Sequence, residues 1–271
     1  TLDNNTTNLT LVSSTSGAVT IEDAADTDIS GTTGNLTVSD ADALTLAGTV
    51  TGNLLVSAAT SVADSATLAV TGTTTIDTSV ANGSIALDED ANNLAGTVTV
   101  TSGSGAITLD NAGNGLDVSS TSSGALTVEN AGALTIAGTM GSFTVTNATS
   151  VNDSATVTVT GTTTIDTSAG NGAVTLDDDS NNLGGTVTVS TGSGNITLDN
   201  DTNALGVVSA TTGSLTIEDA GALTLAGSMG SLAVTNASSV ADSAMVSITG
   251  AATIDTSTSN GAITLDEDDN S

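Results

Sequence analysis

Short stretches in which apolar and polar residues alternate run along the whole chain. In Gly105–Asp110 and Gly124–Glu129 a glycine is followed by any residue, an apolar residue, threonine, a second apolar residue and an acid. Alternation with a period of two places the apolar side chains on one face of a strand and threonine on the other. The pattern therefore predicts many short strands, each with one buried face.

This motif recurs at close intervals. It returns at Gly172–Asp177, Gly194–Asp199 and Gly213–Glu218, and in degenerate form at Gly230–Thr235. A second apolar strand lies between successive members, for example at 186–189 and 205–208. The spacing predicts coils of about 18 residues with two main strands in each coil.

A longer repeat of 89 residues is superimposed on these coils. Ser61–Ala66 returns at Ser150–Ala155 and at Ser239–Ala244, which defines super-repeats at 61–149 and 150–238 and a partial copy at 239–271. A related copy occupies 1–60, but there Gly17–Glu22 matches Gly124–Glu129 at an offset of 107 residues. The extra 18 residues correspond to one added coil.

Two architectures give repeats of this length, a tandem array of immunoglobulin-like sandwiches and a β-solenoid. A sandwich cannot accept two extra strands in its middle without a new topology, whereas a solenoid gains one coil. We therefore predict an all-β, single-stranded parallel β-solenoid, a right-handed β-helix of about 15 coils and roughly 70 Å. Residues 1–271 are expected to form one continuous segment of a longer protein.

Composition narrows the range of functions. The chain has thirty acidic residues, a formal charge of −30, and no Lys, Arg, His, Cys, Trp, Tyr or Pro. Without basic residues it cannot neutralise phosphates, so we expect no nucleic-acid partner and no direct binding to anionic membranes. Nucleophile–base pairs are missing, and so are aromatic platforms for sugars. The sequence predicts that the protein is not an enzyme.

The single aromatic residue, Phe143, aligns with Leu54 and Leu232 in the other copies. We interpret it as a core residue. Threonine at the centre of many strands faces outward, and flat threonine faces are one feature of ice-binding solenoids. The outward register is interrupted at Gly206, Ala233 and Ser247, so β-propensity explains these threonines better.

Acidic residues follow the apolar alternation in consecutive coils, where parallel stacking predicts a ladder of carboxylates along one edge. Carboxylate and amide oxygens are the ligands that Ca²⁺ prefers. No cofactor is required, and Ca²⁺ is the one candidate; the alternative is a solvated acidic edge that keeps molecules soluble and apart. The candidate metal ligands are Asp88, Asp110, Glu129, Asp177, Asp178, Asp199, Glu218, Asp219 and Asp266.

The pattern of residue types in Gly124–Val128 and Ala133–Gly138 is also found in a known group of proteins. Their pattern resembles the repeats of filamentous haemagglutinin-type exoproteins, which are large bacterial surface β-helix proteins. The resemblance implies a secreted or cell-surface setting and a role as adhesin or extended stalk. The chain departs from that family in its lack of basic residues and in its rigid 89-residue super-repeat.

These observations favour a structural function. We expect a rigid, protease-resistant extracellular fibre, surface filament or matrix protein that self-associates end to end or laterally. The alternative is an adhesin or binding module that depends on Ca²⁺ or engages a glycan, a cell-surface partner or, least favoured, ice.

Overall fold

A computed structural model describes residues 1–4 and 8–271. The chain is an all-β parallel solenoid of about 13 turns with about 19 residues per turn, and its strands form two parallel sheets. The predicted fold class is thereby confirmed, with turns slightly longer and fewer than expected. The described residues contain no helix. The right-handed twist of the coil stays a prediction.

The chain divides into two compact units, residues 1–134 and 135–271. The strands of the first unit are β1 (Leu2–Asn4), β2 (Leu9–Ser14), β3 (Val19–Ala24), β4 (Thr27–Thr33), β5 (Leu36–Val38), β6 (Ala43–Val50), β7 (Leu54–Val56), β8 (Ser61–Val70), β9 (Thr74–Asp77), β10 (Ile85–Leu87), β11 (Asn93–Leu94), β12 (Val98–Gly103), β13 (Ile107–Leu109), β14 (Leu116–Ser122) and β15 (Ala125–Val128). Strand β16 (Ala131–Met140) contains the boundary between the units.

The strands of the second unit are β17 (Ser142–Val145), β18 (Ala148–Val159), β19 (Thr163–Asp166), β20 (Val174–Leu176), β21 (Asn182–Leu183), β22 (Thr186–Gly192), β23 (Ile196–Leu198), β24 (Leu205–Thr211), β25 (Ser214–Ile217), β26 (Ala220–Met229), β27 (Ser231–Val234), β28 (Ala237–Ile248), β29 (Ala252–Ile254) and β30 (Ile263–Thr264).

In each unit the strands alternate between the two sheets, and each strand pairs with the strand one turn away. In the first unit the orders are β1-β3-β5-β7-β9-β12-β14 and β2-β4-β6-β8-β10-β13-β15. In the second unit they are β18-β20-β23-β25-β27-β29 and β17-β19-β22-β24-β26-β28-β30. The short strands β11 and β21 pair with β8 and β18. A turn thus contains two main strands, as predicted.

The core is built by stacking like residues on like. Ile85, Ile107 and Leu126 are register partners in β10, β13 and β15, and all three are buried. Phe143 is fully buried in β17, which confirms its interpretation as a core residue. Because apolar side chains in these strands lie above equivalent apolar side chains of the previous turn, the narrow interior is filled mainly with Val, Ile, Leu and Ala.

Glycine at the start of the strand motif is required by the closeness of successive turns. A Cβ atom added to Gly105 would lie 2.0 Å from the carbonyl oxygen of Gly83. One added to Gly124 would lie 2.2 Å from the carbonyl oxygen of Gly105. The backbone therefore passes the corner at a distance that only a residue without a side chain permits.

The 89-residue super-repeat of the second unit advances the coil by four and a half turns, whereas coils of about 18 residues predict five. Within the second unit, Ser150–Ala155 lies in β18 of one sheet, and its copy Ser239–Ala244 lies in β28 of the other sheet. Four turns lead from β18 to β27, and a further half turn leads to β28. Equivalent residues of successive super-repeats therefore lie in opposite sheets of the solenoid.

The eighteen added residues near the start make one full turn. Val19 in β3 pairs with Leu36 in β5, which pairs with Leu54 in β7, so β5 is an additional strand of the same sheet. Because the addition is a whole turn, it changes neither the sheet to which later strands belong nor the direction in which their side chains point.

Candidate functional site

The predicted acidic residues lie at corners where strands end in register. Leu87, Leu109 and Val128 are successive register partners. The next residues, Asp88, Asp110 and Glu129, therefore follow one another along one corner of the first unit. We call this corner, together with the neighbouring Asp64 and Asp90, the first acidic corner.

The second unit contains an equivalent corner. Leu176, Leu198 and Ile217 are register partners, so Asp177, Asp199 and Glu218 succeed one another along it. We call the corner formed by Asp153, Asp177, Asp178, Asp179, Asp199, Glu218 and Asp219 the second acidic corner.

Equivalent carboxylates in these corners have very different environments. Asp110 and Asp199 are buried, with exposed fractions of 3% and 4%. Asp88, Glu129, Asp177 and Glu218 are exposed, and Asp178 and Asp219 are half-buried. The carboxylates that succeed one another along each corner therefore differ in exposure.

The two buried carboxylates close tight turns. Oδ1 of Asp110 accepts a hydrogen bond of 2.6 Å from the backbone N–H of Ala112, whose φ is +52°. Oδ1 of Asp199 accepts one of 2.7 Å from Asp201, whose φ is +50°. A side-chain acceptor two residues before a left-handed residue is an Asx turn, which stabilises that conformation. These two candidate metal ligands have a structural role.

Burial and like charge both act on these carboxyl groups. Burial raises the pKa of Asp110, and the negative charges of Asp90, Asp64 and Asp88 add to the rise. The bond from Ala112 opposes it. The buried carboxylate of Asp110 therefore lies in an unfavourable electrostatic environment, since the chain has no cationic side chain that could compensate its negative charge.

The second acidic corner shows the same effect. Burial raises the pKa of Asp199, with contributions from the charges of Asp219, Asp179 and Glu218. The pKa of Asp177 is raised by desolvation and then by the negative charge of Asp153. In both acidic corners, several negatively charged carboxylates therefore lie close to one another.

The half-buried carboxylates already have protein partners. Oδ1 of Asp178 accepts hydrogen bonds from Oγ1 of Thr156, at 3.1 Å, and from the backbone of Ser180, at 3.0 Å. Oδ1 of Asp219 accepts one of 3.0 Å from Nδ2 of Asn236. These bonds orient the carboxylates within the corner.

Asp266 is not brought together with the other candidates of its unit. It follows β30, whereas Asp177, Asp199 and Glu218 follow strands of the opposite sheet. The half-turn offset of the super-repeat causes this separation. The second unit therefore carries acidic residues at two different corners, and Asp177, Asp199 and Glu218 lie at one of them.

Among the residues that the structure describes, no group of three or more acidic side chains has an arrangement that would hold a metal ion. The nine candidate ligands thus remain a prediction. In chemical terms the corners offer carboxylate oxygens to hard cations, and several of these oxygens are already engaged by backbone N–H groups.

The structure also shows a buried hydrogen bond between an asparagine and an aspartate, which the motif pattern did not predict. Asn181 is fully buried; its Oδ1 accepts a hydrogen bond of 2.7 Å from the backbone of Val157, and its Nδ2 donates one of 2.7 Å to Oδ2 of Asp153. Asp153 also accepts a bond of 3.0 Å from the backbone N–H of Asp178. The buried asparagine thus ties the acidic loop to the strand one turn below.

This asparagine–aspartate hydrogen bond is repeated in every super-repeat. Its asparagine–aspartate pairs are Asn92 with Asp64, Asn181 with Asp153 and Asn270 with Asp242. The constant separation of 28 residues between the two partners was visible in the sequence. It could have identified the pair, because both residue types recur at every 89-residue step.

Outward threonines form short columns rather than a flat face. Thr175, Thr197 and Thr216 are register partners, and Ala233 interrupts the column. Each of these strands has three or four residues and presents one threonine between its two buried positions. A surface with two threonines in each strand, which ice binding would require, is not present in this column.

The described residues define a class of protein: a parallel β-solenoid whose buried apolar side chains stack between turns and whose buried polar side chains form corners and attach loops. In this part of the chain no helix has the length and apolar character to cross a membrane. The class is that of a repeat protein built from stacked β-coils.

Comparison with known families agrees with this class. The model of the family described as repeats of unknown function (DUF5649) matches residues 33–101, 93–123, 123–190 and 212–271. These matches cover well over half of the sequence, so the chain belongs to this repeat family. No curated protein and no solved structure matches it. The finer likeness to filamentous haemagglutinin-type exoproteins stays a prediction.

Proposed function

We propose that this protein is a structural segment, which provides rigid and protease-resistant extension within an extracellular fibre, surface filament or matrix. One observation carries the proposal: in each unit, main strands pair in parallel with the strand one turn before them, and in strands such as β10, β13 and β15, and β20, β23 and β25, apolar residues stack on apolar residues. Such a stack is extended by adding coils and needs no other element.

The allocation of polar residues supports the same function. Buried asparagines and aspartates hold corners and loops, as Asn181 and Asp199 do. The sequence has no His, Cys, Lys, Arg or Tyr, so the nucleophile–base pairs built on these residues are missing. We therefore propose a non-enzymatic role in which length and rigidity are the functional properties.

The acidic corners fit an extracellular structural role. A charge of −30 keeps copies of the chain apart in solution. Association of copies end to end or laterally would then require contact through uncharged surfaces or counter-charges from cations. Extracellular or cell-surface placement agrees with this composition and with the haemagglutinin-type resemblance.

Insertion of one additional super-repeat tests the proposal. A second copy of residues 150–238, inserted after residue 238, should lengthen the particle by about 22 Å, because four and a half turns add about 4.8 Å each. Particle length is measured by small-angle scattering and electron microscopy. The matched control inserts a glycine–serine segment of equal length, which should add a flexible contribution and no fixed increment.

Two results would contradict the structural role. One is an inserted super-repeat that folds without changing particle length. The other is rapid degradation of the folded chain by proteinase K, which cleaves at apolar residues and does not need the missing basic sites. Resistance of the folded chain and rapid cleavage of the urea-unfolded chain are expected.

A second candidate is a Ca²⁺-dependent binding module, favoured by the short-range negative charge at Asp110, Asp177 and Asp199. A specific site would raise the melting temperature with Ca²⁺ more than with Mg²⁺ at equal concentration. Equal effects of both ions, reproduced by NaCl of the same ionic strength and unaffected by EDTA, would leave the solvated acidic edge as the explanation.

A further inference from the structure

The outward positions of β24 in the second unit differ from those of the equivalent strand, β14, in the first unit. Outward residues alternate with the buried residues of each strand. Over the 89-residue offset, the pairs of equivalent outward positions are Asp117 and Gly206, Ser119 and Val208, and Thr121 and Ala210. All three outward positions of β24 therefore lack the polar side chains that β14 has.

This difference changes the surface that each strand presents to solvent. In the first unit, Oγ1 of Thr97 donates a hydrogen bond of 2.8 Å to Oδ2 of Asp117, so that surface is charged and hydrogen-bonded. In β24, Val208 is a large apolar residue with an exposed fraction of 37%, and Ala210 is exposed beside it. Strand β24 thus presents apolar surface where β14 presents polar surface.

The neighbouring strands β22 and β26 extend this surface without adding charge. Thr188 in β22 and Ala226 in β26 are the register partners of Val208. We call the outward residues of β22, β24 and β26 the uncharged face. On the two flanking strands these residues are Thr186, Thr188, Ser190, Ala222, Thr224 and Ser228. The adjoining strands carry carboxylates, Asp166 in β19 and Asp242 in β28.

The charge of the chain favours a second copy of itself as the occupant of the uncharged face. With thirty carboxylates and no cationic side chain, one copy cannot neutralise a carboxylate of another copy. Direct contact between copies is therefore favoured where carboxylates are absent, and the uncharged face meets that condition. A basic partner would instead be attracted to the acidic corners, where the favourable Coulomb energy is available.

We propose that two copies of the chain pack against each other through their uncharged faces, in a two-fold symmetric contact that places β24 against β24. The proposal rests on the structural function proposed above, for which it identifies the lateral contact between copies. Two-fold symmetry brings the same surface of both copies together, so apolar positions meet apolar positions. Gly206 and Ala210 permit a close approach of the two sheets, and burial of Val208 stabilises the contact.

The dimensions of the surface indicate a weak and reversible contact. Strands β19, β22, β24, β26 and β28 are neighbours in one sheet. At about 4.8 Å per strand and about 3.3 Å per residue, this part of the sheet measures roughly 24 Å by 23 Å. Two such surfaces bury roughly 1,100 Å² in total, which is the size of transient interfaces. Repulsion between two chains with a charge of −30 opposes the contact, so salt should favour it.

Sedimentation equilibrium of the intact chain tests the salt dependence. Between about 0.01 M and about 1 M NaCl, the Debye length falls from about 30 Å to about 3 Å, and the dimer dissociation constant should decrease at least about tenfold. CaCl₂ of the same ionic strength and NaCl with EDTA should give the same constant as NaCl alone. A chain that stays monomeric at about 1 mM protein in high salt would overturn the proposal. So would a dimer that forms only with Ca²⁺.

A triple variant tests the location of the contact. Gly206→Asp with Val208→Ser and Ala210→Thr gives β24 the outward residues of β14, and a Cβ atom at Gly206 meets its nearest atom at 3.7 Å, an ordinary contact. Dimerisation should weaken at least about tenfold, because the symmetric contact brings two uncompensated carboxylates together. The control Asn195→Asp adds the same charge at an exposed position next to β23 in the opposite sheet, and it should change the constant by less than about twofold.

Circular dichroism establishes that each variant keeps its β structure. An unchanged dissociation constant in the folded triple variant would overturn the proposal, as would an equal weakening by Asn195→Asp. If the triple variant does not fold, Val208→Ser alone decides; it should weaken dimerisation about fivefold or more, since both copies lose buried apolar surface, and an unchanged constant would overturn the proposal.

Failure of this contact can be told apart from failure of the structural function. A chain that is monomeric under all these conditions, but lengthens with an inserted super-repeat and resists proteinase K, would overturn the lateral contact alone. A chain that dimerises as expected but fails both of those tests would retain the contact and lose the structural function.

Discussion

Asn181 donates a hydrogen bond of 2.7 Å from Nδ2 to Oδ2 of Asp153, which lies one turn earlier in the solenoid. The same asparagine accepts a bond from Val157, so one buried side chain satisfies a backbone donor and a carboxylate together. This contact determines the path of the acidic loop that contains Asp177, Asp178 and Asp179. The most acidic segment of the super-repeat is thus held from inside the solenoid.

Removal of that amide should be costly. Asn181→Ala leaves the N–H of Val157 and the carboxylate of Asp153 without their partner, and it is expected to lower the free energy of unfolding by about 3 kcal/mol. Urea denaturation followed by circular dichroism measures the change. Asn182→Ala is the matched control at an exposed neighbour, where the change should remain within about 0.5 kcal/mol. Similar decreases in the free energy of unfolding for both variants would show that the buried contact stabilises the fold no more than the exposed neighbour does.

Replacement of a buried hydroxyl group should instead increase the stability of the fold. Oγ1 of Thr163 is buried without a hydrogen-bond partner, and the residue lies in register between Phe143 and Val187. Thr163→Val keeps the shape and removes the unsatisfied group, so the variant should be more stable by about 1 kcal/mol. Thr164→Val, on the exposed face of the same strand, should change stability little. A destabilised Thr163→Val variant would indicate that the hydroxyl is satisfied in solution.

Corner glycines should tolerate no side chain. A Cβ atom on Gly172 would lie 1.7 Å from the carbonyl oxygen of Thr149, so Gly172→Ala must displace backbone and should cost about 3 kcal/mol or more. Gly170→Ala, two residues away, meets its nearest atom at 3.5 Å, an ordinary contact, and serves as the control. Thermal melting of the two variants gives the comparison. Equal melting temperatures would contradict the close approach of successive turns at this corner.

Stability should increase as the pH falls from 7 toward the ordinary carboxyl range. The pKa values of Asp110, Asp177 and Asp199 are raised in the folded chain by burial and by nearby negative charge. A carboxyl group with a raised folded-state pKa binds its proton first in the folded state. The unfolding free energy therefore rises as the pH falls through that pKa to the unfolded value of about 3.9.

Below a pH of about 3.9, the unfolding free energy should instead decrease as the pH falls further. Hydrogen bonds lower the pKa of Asp242, chiefly from the side chain of Asn270, and that of Asp255, chiefly from Ser257. Their stabilisation is lost as the pH falls through their lowered folded-state pKa values. The melting temperature should thus pass through a maximum close to the ordinary carboxyl pKa. In the double variant Asp110→Asn and Asp199→Asn the rise should be shallower, and a melting temperature that falls steadily from pH 7 to 4 would contradict the assignment.

The strands and their stacking could be predicted from the sequence because they depend on local alternation and on repetition. Gly105–Asp110 and Gly124–Glu129 indicate a strand preceded by a tight corner, and the structure contains β13 and β15 there. The added coil near Leu36 was detectable for the same reason: a shift of 18 residues preserves the pattern of inward and outward side chains. Parallel pairing followed from the identity of successive coils.

The candidate site was less predictable. Asp88 and Asp110 hold the same motif position, yet Asp88 is exposed and Asp110 is buried. The difference arises after the motif, where Asn111 turns inward and is fully buried while Glu89 and Asp90 remain exposed. A pattern of residue types does not contain that information, because it depends on which loop atoms the adjacent turns can hydrogen-bond.

By itself, the sequence determined the class of fold, the two strands per turn, the apolar face of each strand and the absence of cationic side-chain partners for thirty carboxylates. Only the tertiary structure decided that 89 residues make four and a half turns, so that Ser150 and Ser239 lie in opposite sheets. Periodicity along the chain defines which residues are equivalent. The angular position of equivalent residues depends on the number of residues that each corner and loop consumes, and this is settled by the packing of one turn against the next.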